Sequence, residues 1–163
     1  MWQPRRGGWL CLLCALILPW PALAAGVPPP LTFAADLAVD GRQAGVDKHP
    51  VVVLFSRARC GWCDKARREH LNAMAASPTA GALFRQVNMD SDVPLTDFSG
   101  QRTSHRDFAR RYNIKMTPTL MFFAGDGSTL AGAIVGYRAA EFYGTLIEDA
   151  IEDSRNQLRS DRK

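Results

Sequence analysis

The sequence predicts one α/β domain behind an export signal, and three observations carry that prediction. The N-terminus runs from basic to apolar and ends in an A-x-A site. The remainder alternates apolar runs of strand length with amphipathic runs of helix length. The strongest apolar run, Val51-Val52-Val53-Leu54-Phe55, leads directly into Cys60-Gly61-Trp62-Cys63. At 163 residues, 47% hydrophobic and 22% charged, the chain has the composition of a globular domain with a real core.

Arg5 and Arg6 precede the apolar stretch 9–18, and Ala22-Leu23-Ala24 supplies the cleavage site, so 1–24 reads as a signal peptide. The stretch falls short of the roughly 20 residues a spanning helix needs, and Pro19 and Pro21 follow it. Gly7-Gly8-Trp9 after the arginine pair fits a twin-arginine address poorly, which leaves Sec export. Cleavage removes Cys11 and Cys14, so Cys60 and Cys63 become the remaining sulfur pair. In an oxidising compartment two thiols at that spacing form or exchange a disulfide. Loss of Arg5 and Arg6 also halves the +4 net charge, too small a bias to point to nucleic acid.

The elements follow in order. Residues 25–32, with Pro28-Pro29-Pro30, read as a Pro-rich tether. Phe33, Ala34, Leu37 and Ala38 give a weak helical pattern ending near Gly45, and Lys48-His49-Pro50 cannot continue it. The buried strand 51–55 comes next, and then a helix over 61–76, apolar at Ala66, Leu71 and Met74 and stopped by Ser77-Pro78. A strand spans 83–89, with Leu83, Arg85, Val87 and Met89 on one face and Phe84, Gln86 and Asn88 on the other. Residues 90–102 form a long loop or small hairpin around Pro94 and Gly100. Ser104-x-x-Asp107 then resembles a capping box opening a helix through Phe108, Ala109 and Tyr112. Thr117-Pro118 interrupts the chain before the strand 119–123, and Gly125-Asp126-Gly127 turns it into a strand over 129–135. The last helix, 139–158, presents Phe142, Leu146, Ala150 and Ile151 to the core, and 159–163 is a charged tail.

The chemistry centres on the C-x-x-C. A strand that delivers Cys60 to the first turn of a helix places its sulfur among unpaired N–H groups at the positive end of the helix dipole, which favours thiolate over thiol. Cys60 is therefore the expected nucleophile, and Cys63, three residues along the same face, resolves a mixed disulfide. Gly61 and Trp62 lie between the sulfurs and tune the potential, or Trp62 serves as an apolar contact for a partner. Arg57, Arg59, Lys65, Arg67 and Arg68 either stabilise the thiolate or form a solvated face. Taken alone, the pair also permits a Cu(I)-binding chaperone or a static staple. A structural zinc site wants four ligands, and the histidines lack finger spacing: His49 reads as a loop residue, His70 and His105 as exposed helix residues. Haem attachment needs histidine where Asp64 stands. No metal and no cofactor are expected.

The C-x-x-C after the first core strand, Thr117-Pro118 before the next-to-last, and a terminal hairpin plus helix together resemble the thioredoxin superfamily over roughly 31–158. More narrowly, Leu54-Phe55-Ser56 to Cys63, the loop Val93-Pro94-Leu95-Thr96-Asp97-Phe98, and Met116-Thr117-Pro118-Thr119-Leu120 before Phe122-Phe123 resemble exported bacterial thioredoxin-like proteins of the SoxW kind. The resemblance implies a thioredoxin-like fold over 33–158, with a central mixed four-stranded sheet flanked by helices. It implies that Pro118 is cis beside the disulfide and that the Thr117 backbone pairs with bound substrate. It further implies a periplasmic thiol-disulfide oxidoreductase acting on protein disulfides, among them a cytochrome c apoprotein or a sulfur-oxidation protein, and nothing in the sequence demands more than a monomer. A membrane thiol transporter of the DsbD or CcdA type would supply its electrons. Reduction is favoured over oxidation or isomerisation, because the segment from Asp90 to Pro118 is too short for the helical insertion of the family's oxidases, and the lead before Phe33 too short for an isomerase dimerisation domain. Two positions depart from cytoplasmic thioredoxins: Leu54 replaces their buried acid, and Arg59 their tryptophan.

Overall fold

The computed structural model describes residues 27–160; the signal segment 1–24, the start of the Pro-rich lead and the end of the charged tail lie outside the described residues. In chain order the elements are α1 (Leu37–Val46), β1 (Val51–Ser56), α2 (Gly61–Ala66), a π-helical turn (Arg67–Leu71), α3 (Asn72–Ala76), β2 (Leu83–Asn88), β3 (Pro94–Thr96), β4 (Arg102–Ser104), α4 (His105–Arg111), β5 (Thr119–Phe123), β6 (Ile134–Val135), a 3-10 turn (Ala140–Phe142) and α5 (Tyr143–Ser160).

β1 is buried along its whole length because it is central: β2 pairs with it in parallel, β5 antiparallel, and β6 extends β5. That is the mixed four-stranded sheet, with order β2-β1-β5-β6. Alternation along the strands divides the core. Val52, Leu54, Phe84, Leu120 and Phe122 pack with Ala66, Leu71, Tyr143, Ile147 and Ile151 beneath α2, α3 and α5. Val51, Val53, Phe55, Val87 and Phe123 pack with Leu37, Ala44, Phe108 and Ala109 beneath α1 and α4. The segment 90–102 is the small hairpin, β3 pairing with β4 from Pro94↔Ser104 to Thr96↔Arg102.

Five local expectations change. The first helix starts at Leu37, not at Phe33, because Asp36 caps it by accepting from the Val39 N–H at 2.9 Å. The residues before it are extended, and the Gln86 N–H and carbonyl bond Thr32 and Ala34. Leu31, placed in the tether by sequence, is buried in the core, with its N–H donated to Asn72 Oδ1 at 3.0 Å. The helix over 61–76 contains the π-helical turn, which takes in one extra residue and lets Ala66 and Leu71, five apart, both face the core.

The strand expected over 129–135 is split. Thr129 bridges Phe123 and Leu130 bonds Phe122, but by Ile134 the register has slipped two residues. The small residues Ala131-Gly132-Ala133 take up the slip as a bulge, and the Ala131 N–H reaches Ser154 Oγ. In α5 the buried stripe is Tyr143, Ile147, Ile151 and Ser154, whereas Phe142 and Leu146, expected in the core, are exposed. The sequence offers two adjacent apolar stripes, and only the one led by Tyr143 meets the sheet.

Candidate active site

β1 delivers the chain to Arg57-Ala58-Arg59, and Arg59 turns it in the left-handed region at φ 56. Cys60 then takes an extended N-cap conformation, and its Sγ accepts the Cys63 N–H at 3.2 Å. Cys60 and Cys63 form a disulfide, with Cα atoms 5.2 Å apart. The two sulfurs are not equivalent: Cys60 is half-buried, whereas Cys63 is 0% exposed. A reagent from solution can therefore approach Cys60.

Across from the disulfide, the Thr117–Pro118 peptide bond is cis, and Thr117 Oγ1 lies 3.5 Å from Cys60 Sγ. This loop is fixed on both sides. The Gly136 N–H donates to the Pro118 carbonyl at 2.7 Å, and Thr119 Oγ1 donates to the Met116 carbonyl at 2.8 Å. The structure thus brings Cys60, Gly61, Trp62, Cys63, Thr117 and Pro118 into one place, at the end of the sheet where β1 stops and β5 starts.

A family model of the thioredoxin-like domain matches residues 37–151. The chain belongs to the thioredoxin-like family. Solved thioredoxins share its fold at low identity. Mitochondrial thioredoxin 3 of Saccharomyces cerevisiae is 20% identical with a TM-score of 0.51, the match covering 76% of this chain and 94% of that one. A mutant thioredoxin from Halobacterium salinarum is 21% identical with a TM-score of 0.51, over 78% and 96% of the two chains. Thioredoxin f2 of Chlamydomonas reinhardtii is 18% identical with a TM-score of 0.50, over 72% and 94%. Among curated proteins none matches. A thioredoxin-like domain whose C-x-x-C closes to a disulfide is a thiol-disulfide oxidoreductase, and the chain is one.

This thioredoxin-like site carries an aromatic array in which sequence reasoning named Trp62 and His70 but missed Tyr137, the ring that joins them. Trp62 is 60% exposed, and its inner face stacks on Tyr137 at a centroid distance of 5.9 Å and an interplanar angle of 21°. Tyr137 Oη donates to Glu69 Oε2 at 2.6 Å and lies 3.1 Å from His70 Nε2, both residues of the π-helical turn. Beneath it Tyr143 packs at 4.5 Å, and Lys65 Nζ sits over the rings of Trp62 and Tyr137. Burial, reinforced by the bond to Glu69, pushes the Tyr137 hydroxyl up to about 12; burial and the neighbouring Tyr137 do the same for Tyr143. Both phenols stay protonated at neutral pH. Tyr137 carries no local signal in the sequence, because its partners are 67 and 68 residues away.

The remaining candidates separate. His49 is in the loop before β1, as expected. His105, expected to be exposed, is buried: its Nδ1 accepts the Asn88 N–H at 3.1 Å, and its Nε2 lies 2.9 Å from the Ala34 carbonyl. It is the first residue of a seven-residue helix whose inner face meets β2, and that position turns it inward. Burial, opposed only in part by the Ala34 bond, holds its pKa below the ordinary histidine value. Of the basic residues, Arg67 is engaged by Asp64 and by Gln86 Oε1. Leu54, standing where cytoplasmic thioredoxins carry a buried acid, is fully buried among apolar side chains.

Proposed function

We propose that the chain is an exported, periplasmic reductase of protein disulfides. In its reduced form the Cys60 thiolate attacks one sulfur of the substrate disulfide. The substrate's S–S bond breaks, a Cys60–substrate mixed disulfide forms, and the first substrate sulfur leaves as a thiolate. Cys63 loses its proton, attacks Cys60 Sγ and expels the second substrate thiolate. The substrate has gained two electrons, and the enzyme holds the Cys60–Cys63 disulfide.

The observation that carries this assignment is the asymmetry of the pair: a half-buried Cys60 faces the Thr117–Pro118 loop, with a buried Cys63 behind it. N–H groups at the start of α2, including that of Cys63, lower the energy of the Cys60 thiolate once the disulfide opens. The Thr117 backbone beside the cis bond is the edge on which an extended substrate segment pairs. Export rests on the sequence of residues 1–24. The reductive direction is supported by the short connection between β2 and Pro118, which the β3–β4 hairpin and α4 occupy. A reductase in an oxidising compartment must be recharged, and a membrane thiol transporter of the DsbD or CcdA type fits that need. Cys60→Ser is expected to abolish reduction of insulin disulfides by dithiothreitol-charged protein. Turnover retained in that variant would overturn the assignment of the nucleophile.

A further inference from the structure

Thr117 and Pro118 flank Cys60 on the β5 side; the β2 side carries a different surface. There a cleft of about 510 Å³ opens between the loop after β1, the first turns of the helix, β2 and the lead segment. Four arginines line it, Arg57, Arg59, Arg67 and Arg68, against one carboxylate, Asp64. Arg67 is engaged by Asp64 and Gln86, whereas Arg57, Arg59 and Arg68 are exposed and form no ion pair among the described residues. Like charges gathered without counter-ions repel one another, and an anion in the cleft relieves that repulsion. Arg59 adds a second indication. It immediately precedes Cys60 and holds the left-handed conformation that glycine or asparagine adopts at lower energy, yet the chain places a cationic side chain there.

The shape of the surroundings selects the kind of anion. Phe33 and Asn88 line both this cleft and an adjoining apolar groove, which Val93 and Pro94 extend. Phe33 is 54% exposed and Val93 57%. A cationic cleft continuous with an apolar groove suits a polypeptide that offers a carboxylate and an apolar side chain close together. A small inorganic ion would leave the groove empty.

We propose that this β2-side surface docks an acidic segment, with Asp or Glu beside an apolar residue, lying close in sequence or space to the cysteine that exchanges with Cys60. The inference rests on the oxidoreductase reading and adds a preference among partners to it. Arginines suit the task because guanidinium groups form bidentate bonds to carboxylates.

The test uses two disulfide-linked peptide substrates that are identical except that Glu beside an apolar residue near the cysteine in one is Gln in the other. The quantity read is the ratio of their kcat/KM values with dithiothreitol-charged protein. One carboxylate shared between two exposed arginines gives an expected preference of about fivefold for the acidic peptide at low salt, shrinking toward unity at high salt. In the double variant Arg57→Ala, Arg68→Ala the ratio is expected to fall to about one. Using a ratio cancels any change in intrinsic Cys60 reactivity. Equal kcat/KM for both peptides, or a preference that survives in the double variant, would overturn the docking proposal. Failure to reduce either peptide would instead contradict the oxidoreductase reading on which it stands.

Discussion

The two faces of the sheet handle polar groups differently. Under α1 and α4 they are enclosed and satisfied. Asp40, buried in α1, receives two bonds from Arg85, at 2.6 and 2.9 Å. His105 has a backbone partner at each ring nitrogen. Asp97 is buried, yet bonds from Ser99, Arg111 and Gln101 outweigh that burial and hold its carboxyl below its ordinary value. Under α2 and α5 the polar and aromatic groups run outward from the core, from Tyr143 through Tyr137, Glu69 and His70 to exposed Trp62. Both faces carry a buried apolar core, and the second also connects its core to the redox pair. Substitutions on the first face should change stability and leave the rate per folded molecule alone; those in the Tyr137–Trp62 array should cost little stability and act on the redox pair.

The largest stability effect expected is from Phe108→Ala. This ring is buried among Phe55, Phe98, Tyr112 and Phe123, and its removal should cost about 3–5 kcal/mol in urea denaturation. Turnover per folded molecule should not change. Gly41→Ala comes next. A Cβ at Gly41 would overlap the Gly125 carbonyl oxygen, where α1 crosses the turn after β5, and backbone must move to admit it. A loss of about 1–3 kcal/mol is expected, again without effect on the redox chemistry.

Acid should weaken the same face. Burial depresses His105, so the unfolded chain binds a proton there at a pH where the folded one does not. Stability is full above the ordinary histidine value of 6.5 and declines as pH falls beneath it. Asp97, also depressed, adds a further loss below its ordinary 3.8. Urea midpoints at pH 7.5 and 5.5 should differ in that sense, and a midpoint that rises on acidification would contradict the buried neutral imidazole. The smallest stability effect is expected on the other face. Tyr137→Phe removes the bonds to Glu69 and His70 and costs about 1 kcal/mol, but it frees the ring on which Trp62 stacks. Its signature is a shift in Trp62 emission; unaltered emission would separate the array from the redox pair.

The parts legible in the sequence are those encoded within a few residues. The all-apolar run 51–55 marked a central strand, the C-x-x-C marked the redox pair, and Ser104-x-x-Asp107 marked a cap that the structure shows, with Ser104 Oγ accepting the Asp107 N–H at 3.1 Å. What was not legible depends on tertiary partners. Phe142 and Leu146 resemble Tyr143 and Ile147 in composition, and only the position of the sheet chooses between the stripes. His105 at a helix start reads as polar surface until the Ala34 carbonyl and Asn88 N–H are placed beside it. Leu31 follows three prolines, yet it enters the core because Asn72 and the Gln86 backbone hold the lead along β2.

Trp62 lies between the two cysteines, and it is the one tryptophan of the chain from Ala25 onward. Its fluorescence, titrated against dithiothreitol or glutathione buffers, reads the state of the pair without a label. A single two-electron transition near the reducing end of the C-x-x-C range, about −270 mV, is predicted for a reductase. A midpoint near the oxidising end, about −120 mV, or emission that ignores the redox buffer, would contradict it.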